Sequence, residues 1–106
     1  MADSNQSLRV MFSVGEVVHH RRYDYRGVVV AFDEYCKASE EWYTRNRTQP
    51  DRNQPWYHVL VHDGRETYVA QEHLEPDQTG EPVDHPLIPL LFPTFHDGRY
   101  YRQSLN

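Results

Sequence analysis

Between Gln54 and Glu75 the chain reads QPWYHVLVHDGRETYVAQEHLE. Two runs rich in β-branched and aromatic residues flank one Asp-Gly pair, and that arrangement leaves few folds open. Tyr57, Val59 and Val61 alternate with His58, Leu60 and His62, the period-2 pattern of a strand with two distinct faces. The histidines share a face with Leu60, and its burial is left open by the pattern. An exposed histidine face would gain charge below about pH 6.5 and make binding there pH-sensitive. Asp63-Gly64 is a strong two-residue hairpin signal, because a type I′ turn needs positive φ at both positions. "ETYVAQ" reads as the return strand and "EHLEP" as a one-turn 3₁₀ exit.

The flanking text extends this β reading. "FSVGEVVHH" places a Val14-Gly15 turn before Val17 and Val18, and "YRGVVVAFD" has the strongest strand propensity in the chain. "RRYDY" between them is short enough for a hairpin or tight loop. Gly27 inside the second strand suggests a bulge or a sharp bend. Residues 34–55 interrupt the pattern. Ser39, then Glu40 and Glu41, then Arg45 and Arg47, is a short-helix signature, with each charge at the end of the dipole that favours it. Pro50 and Pro55 bracket a polar loop, and an insertion this long in a small domain is more often functional than idle. From Thr79 onward, Pro82, Pro86, Pro89 and Pro93 recur among Leu87, Ile88, Leu90, Leu91, Phe92 and Phe95. Such a tail cannot form a long helix and is expected to wrap the barrel and close its open side. Asp97-Gly98 marks one more turn. Residues 1–10 are polar and expected to be disordered; 11–106 form a single domain. The fold class is all-β, a small barrel of about five antiparallel strands with a long helical/loop insertion and a Pro/aromatic C-terminal tail.

Composition narrows the function. A chain of 106 residues is one domain by length. Its formal net charge of −5 is unevenly spread. From Arg9 to Arg26 four arginines face Glu16 and Asp24, a local +2, whereas from Tyr57 to His85 Arg65 faces seven carboxylates, a local −6. Cys36 is the only cysteine, so no internal disulfide forms, which fits a reducing, cytoplasmic or nuclear setting. Met1 to Leu8 lacks the apolar core of a signal peptide, and no apolar run approaches the roughly 18 residues of a membrane span.

Most catalytic chemistry is absent. His58 and His62 have a spacing that ligates metal on a helix, but on a strand four residues separate them by roughly 13 Å, too far for one zinc ion with bonds of about 2 Å. His19 and His20 are adjacent and point to opposite faces of a strand. No metal site and no cofactor are expected. Cys36 beside Lys37 has no evident His and orienting acid. No glycine loop cradles phosphate, and no elbow motif marks a nucleophilic serine. The chain reads as a binding module and not an enzyme. Trp56 and Tyr57 are expected in the core or at the barrel rim. Trp42, with charged neighbours, is expected to be exposed with Tyr43 in the insertion, where aromatics stack on a base or dock a peptide.

"FSVGEVVHHRRYDYRGVVVAFD", followed after a loop by "QPWYHVLVHDGRETYVAQEHLE", resembles the YccV/HspQ family, also called the hemimethylated DNA-binding domain family. Its motifs, G-x-x-V-x-H, Y-x-G-V-V, P-W-Y-H-V-L with D-G, and Y-V-A-Q-E-x-L, appear in order over roughly residues 12–75. "DHPLIPLLFPTFHDGRYY" looks like the version at the C-terminus of certain eukaryotic F-box proteins. No F-box precedes it in this sequence, so a ubiquitin-ligase role is not expected to carry over. The resemblance implies an SH3-like barrel, no catalytic residues, and two kinds of function. One is recognition of hemimethylated DNA. The other is regulated proteolysis, in which bacterial members serve the Lon protease and plastid relatives serve Clp as adaptors.

DNA affinity comes largely from neutralised phosphates, and reading a methyl mark needs apolar contact plus basic groups that set the register. Arg21, Arg22, Arg26, Arg45, Arg47 and Arg52, with Tyr23 or Trp42 near base edges, are the residues for that task. The acidic hairpin opposes it. An adaptor needs a groove with aromatic anchors and charge selectivity; Trp42 and Tyr43 supply anchors, and Glu66, Glu72 and Glu75 would suit a basic partner segment. A protein partner (protease, chaperone or substrate) is therefore favoured over DNA. Exposed barrel edges make self-association a further expectation.

Overall fold

The computed structural model describes residues 9–103, so residues 1–8 of the segment expected to be disordered lie outside the described residues. The order is β1 (Val17–His20), β2 (Arg26–Asp33), α1 (Glu40–Arg45), β3 (Trp56–Val61), β4 (Glu66–Ala70), a 3₁₀ turn (Gln71–His73), β5 (Leu74–Pro76), α2 (Ile88–Leu91), β6 (Thr94–His96) and β7 (Arg99–Tyr101). β1 to β5 form one antiparallel sheet in the order β4-β3-β2-β1-β5. The fold is all-β, but the expected barrel is not closed: β4 and β5 remain the two edges. "LEP", read as part of the 3₁₀ exit, is the strand β5 paired with β1.

Both faces of the sheet are covered, which explains the near-continuous apolar run of β2. Phe12, Val18, Val29, Tyr57, Val59, Val61, Val69 and Leu74 form the inner core. Val17, Val28 and Leu60 point the other way and pack under Val83, Ile88, Phe92 and Tyr100 of the tail. The tail thus covers the sheet's outer face instead of closing a seam, because those three alternating side chains need an apolar roof. The Tyr100 hydroxyl accepts from the Val83 N–H (2.8 Å). The Tyr100 N–H donates to the Gly15 carbonyl (2.8 Å), and Glu16 bridges to Arg99, which joins the β6–β7 hairpin to the entry of β1.

The insertion covers the Trp56 end of the outer face and leaves His58 exposed. Ser39 caps α1, its Oγ accepting from the Trp42 N–H (3.1 Å). Trp42, Tyr43 and Tyr68 pack on a third buried group of Cys36, Trp56 and Ala70. Trp56 and Tyr57 are core residues, as expected. Tyr57 also ties down the N-terminal segment: its buried hydroxyl donates to Gln71 Oε1 and accepts from the Met11 (3.1 Å) and Phe12 (3.3 Å) N–H groups. Gln71 Nε2 donates to the Arg9 carbonyl (2.9 Å).

Two local expectations change, and one open question is answered. The Asp63-Gly64 turn is not type I′, because Gly64 has positive φ (94°) and Asp63 does not. Gly64 donates to the Val61 carbonyl (2.9 Å), the mark of a three-residue loop ending in a glycine bulge. The two-residue turn with both φ values positive is Asp97-Gly98 (56° and 79°). The β2 bulge lies between Val29 and Ala31 and not at Gly27. Gly27 answers a different need: a Cβ there would collide with Val59 Cγ1 and the Leu60 carbonyl. Of the histidine face, His58 and His62 are exposed, whereas Leu60 between them is buried.

Candidate functional site

An open groove of about 460 Å³ crosses the free edge of β4. One wall is the β1–β2 connection, with Tyr23 and Tyr25 above His20; the other is the end of the insertion, with Trp42, Asn46, Arg47, Thr48 and Pro50. Thr67, Tyr68, Val69 and Ala70 of β4 with Trp56 make the floor, and Arg65 and His73 stand at its ends. No lining residue carries a carboxylate, although the chain's net charge is −5.

The tyrosine wall is built on His20. This imidazole is 3% exposed, and burial, followed by the nearby His73, His19 and Arg22, pushes its pKa down to about 4. Its unprotonated Nδ1 accepts from the N–H groups of Arg22 (3.1 Å) and Tyr23 (3.0 Å). Its ring stacks on Tyr23 (4.8 Å) and lies tilted against Tyr25 (4.9 Å). Asp24 takes a left-handed conformation (φ 58°) and reaches His19 Nε2 at 2.6 Å, while Glu75 holds His19 Nδ1 at 2.7 Å. These two hydrogen bonds, Asp24 first, raise the His19 pKa. Tyr25 then crosses to β4, its hydroxyl 2.8 Å from Thr67 Oγ1.

The opposite wall rests on an aromatic stack. Trp42 meets Trp56 (6.2 Å) and Tyr68 (5.7 Å) edge-on. The Tyr68 hydroxyl donates to Asp33 Oδ2 (2.6 Å), and burial plus that carboxylate raise its pKa. Arg47 lies over the Tyr23 ring (5.6 Å) and Arg65 over the Tyr25 ring (5.3 Å), so both guanidiniums sit on aromatic faces at the groove.

The structure sorts the residues expected from sequence. Trp42, Tyr23 and Arg47 meet in the groove. Trp42 is half-buried and not exposed as expected, because its ring closes the insertion onto β3 and β4. Tyr43 lies behind it against Trp56 (6.4 Å). Arg22 reaches the Tyr23 ring (5.9 Å), and Arg45 is exposed in the last turn of α1. Arg21 donates to the Leu74 carbonyl (3.3 Å). Arg26 is paired with Asp77 (2.8 Å) and fastens β2 to the start of the tail. Arg52 donates to the Ala38 carbonyl (2.6 Å) and lies over the Tyr43 ring (4.8 Å), closing the insertion on itself. The six arginines therefore do not form one surface. Glu66 starts β4, Glu72 accepts from Gln54 (2.7 Å) and Glu75 holds His19; none of the three lines the groove. His20, Tyr25, Arg65, Tyr68 and His73 were missed, since only the folding of the β1–β2 connection towards β4 brings them together. Among the described residues no cluster of three or more His, Cys, Asp or Glu could hold a metal ion, and no helix is long and apolar enough to cross a membrane.

Over residues 10–99 the chain matches the family described as hemimethylated DNA-binding protein YccV like. It is similar to F-box only protein 21 of Mus musculus (34% identical over 94 residues) and of Homo sapiens (33% over 94 residues). Each alignment covers 86% of this chain and 15% of the relative, so the chain spans a small part of the curated relatives it matches. The match reaches Arg99 and so includes Val83, Ile88 and Phe92 of the tail that roofs the sheet. On this match, and with the five-stranded antiparallel sheet that its motifs build, the chain belongs to the YccV-like hemimethylated DNA-binding domain family.

Proposed function

We propose that this domain is a non-enzymatic protein-binding module, an adaptor or specificity factor in regulated proteolysis inside the cell. The observation that carries this reading is the carboxylate-free aromatic groove on an otherwise acidic domain. Open grooves with aromatic anchors and a few placed charges bind protein segments without a basic field around them. The family's description is one of binding, and the F-box designation carried by the similar proteins named above supports a protein partner.

The second reading, recognition of hemimethylated DNA, is favoured by Arg22 and Arg47 converging on Tyr23. Against it, Arg26 and Arg52 are engaged within the fold, which leaves few cations for phosphates. The test is titration of fluorescent hemimethylated, fully methylated and unmethylated duplexes at two salt concentrations, alongside recovery of protein partners by wild type and Trp42→Ala. Weak, methylation-indifferent, salt-erased DNA binding is expected, with a partner recovered by wild type and lost by the variant. Tight binding that prefers the hemimethylated duplex and disappears in Arg22→Ala/Arg47→Ala would overturn the proposal.

A further inference from the structure

The groove's floor is an unpaired strand edge. β4 is an outer strand, paired only with β3. The Val61 N–H donates to the Arg65 carbonyl and the Gln71 N–H to the Pro55 carbonyl, at 2.8 and 2.9 Å. In an antiparallel ladder the backbone groups of successive residues alternate between the two sides. Those of Arg65, Thr67, Val69 and Gln71 therefore face β3, and those of Glu66, Tyr68 and Ala70 face outward. The stretch from Thr67 to Ala70, about 10 Å of strand, lies in the groove.

The arginines that line the groove have no carboxylate among the other lining residues. Arg47 reaches it from the insertion and Arg65 from its end, each seated on a tyrosine ring of the β1–β2 connection. Among the described residues Arg47 has no carboxylate partner, and the Arg65 guanidinium donates to Asp63 through Nε (2.7 Å), beside the Arg65 backbone N–H on the same carboxylate (3.0 Å). A guanidinium fixed on an aromatic face presents its remaining N–H groups to an incoming carboxylate in a planar fork. A basic segment would meet two like charges there and no counter-charge in the lining.

Resting on the protein-binding reading above, we infer that the groove takes an extended acidic peptide segment, which adds as a strand to the free edge of β4 with its carboxylates on Arg47 and Arg65. Strand addition draws affinity from the main chain and specificity from alternate side chains. Trp42 and Tyr23 flank the edge and receive the apolar positions. A nucleic-acid strand would need a track of cations along its backbone, which two arginines do not form.

The experiment is selection of a random 12-residue peptide display library on the described domain, with wild type and Arg47→Glu/Arg65→Glu compared at equal thermal midpoint. Wild type is expected to enrich Asp and Glu beside aromatic or proline residues. The reversed variant is expected to bind the winning peptide at least about tenfold more weakly, from two rim charges inverted, and to select Lys and Arg. Backbone N-methylation of that peptide is expected to abolish binding at alternate positions and spare those between. Enriched peptides with no acidic preference, or N-methylation effects without that alternation, would overturn the ligand assignment and leave the protein-binding reading standing. A library that enriches nothing, with or without capture of a labelled hemimethylated duplex, would overturn both.

Discussion

His19 and His20 are neighbours with opposite electrostatic assignments. His20 has a folded pKa of about 4 against 6.5 for the free side chain. Its contribution to stability is complete above pH 6.5 and is lost as pH falls from 6.5 towards 4, since the unfolded chain takes up the proton first. The shift corresponds to ~3 kcal/mol at the lower end of that window. His19, held between Asp24 and Glu75, has a raised pKa, so its contribution is complete below pH 6.5 and is lost as pH rises through the raised value. An NMR titration of the imidazoles is expected to find His20 neutral, with Nδ1 unprotonated, down to about pH 5, and His19 titrating above 6.5. A His20 that titrates near 6.5 would remove the account of the tyrosine wall. The "HH" dipeptide was legible as two faces of a strand. The proton states were not, because they depend on Glu75, Asp24 and His73, which arrive from elsewhere in the chain or from a loop of unusual conformation.

At the scale of elements, the glycines separate what is local from what is not. Gly27→Ala forces a methyl group into Val59 and the Leu60 carbonyl and is expected to cost about 3 kcal/mol or more. Gly64→Ala meets open space but keeps a φ of +94°, so about 1 kcal/mol is expected from backbone strain alone. Urea denaturation of both variants checks the order; a Gly27→Ala protein as stable as Gly64→Ala would contradict the packing of β2 on β3. Ser39 as a helix cap was readable because capping is settled within four residues. Asp63-Gly64 announced a hairpin without fixing its turn type, since a three-residue loop with a terminal glycine uses the same dipeptide. β5 went unread because three residues carry too little pattern, and its pairing with β1 is a long-range choice. The groove was half legible: Trp42, Tyr23 and Arg47 stood out by residue type, whereas Tyr25, Tyr68 and Arg65 passed as ordinary strand and turn residues.

Across the whole molecule, the tail acts as a second core. Val83, Ile88, Phe92 and Tyr100 roof Val17, Val28 and Leu60, and each side chain returned to water forfeits about 1.5–3 kcal/mol. A chain ending at residue 82 is therefore expected to lose cooperative unfolding or to aggregate, read by calorimetry and light scattering; a soluble truncated domain with an unchanged melting temperature would refute that role. β4 and β5 are short edges, and Pro76 ends the second, so self-association, if it occurs, is expected through β4 and in competition with the peptide proposed for it. The Gly15–Tyr100 hydrogen bond and the Glu16–Arg99 bridge have a mechanical meaning as well. The ladder is antiparallel, so pulling Val14 and Tyr101 apart opens it like a zipper, one bond after another, and does not shear it. Under load the tail peels away at low force, while every groove-lining residue lies between His20 and His73, off the first part of that tearing line.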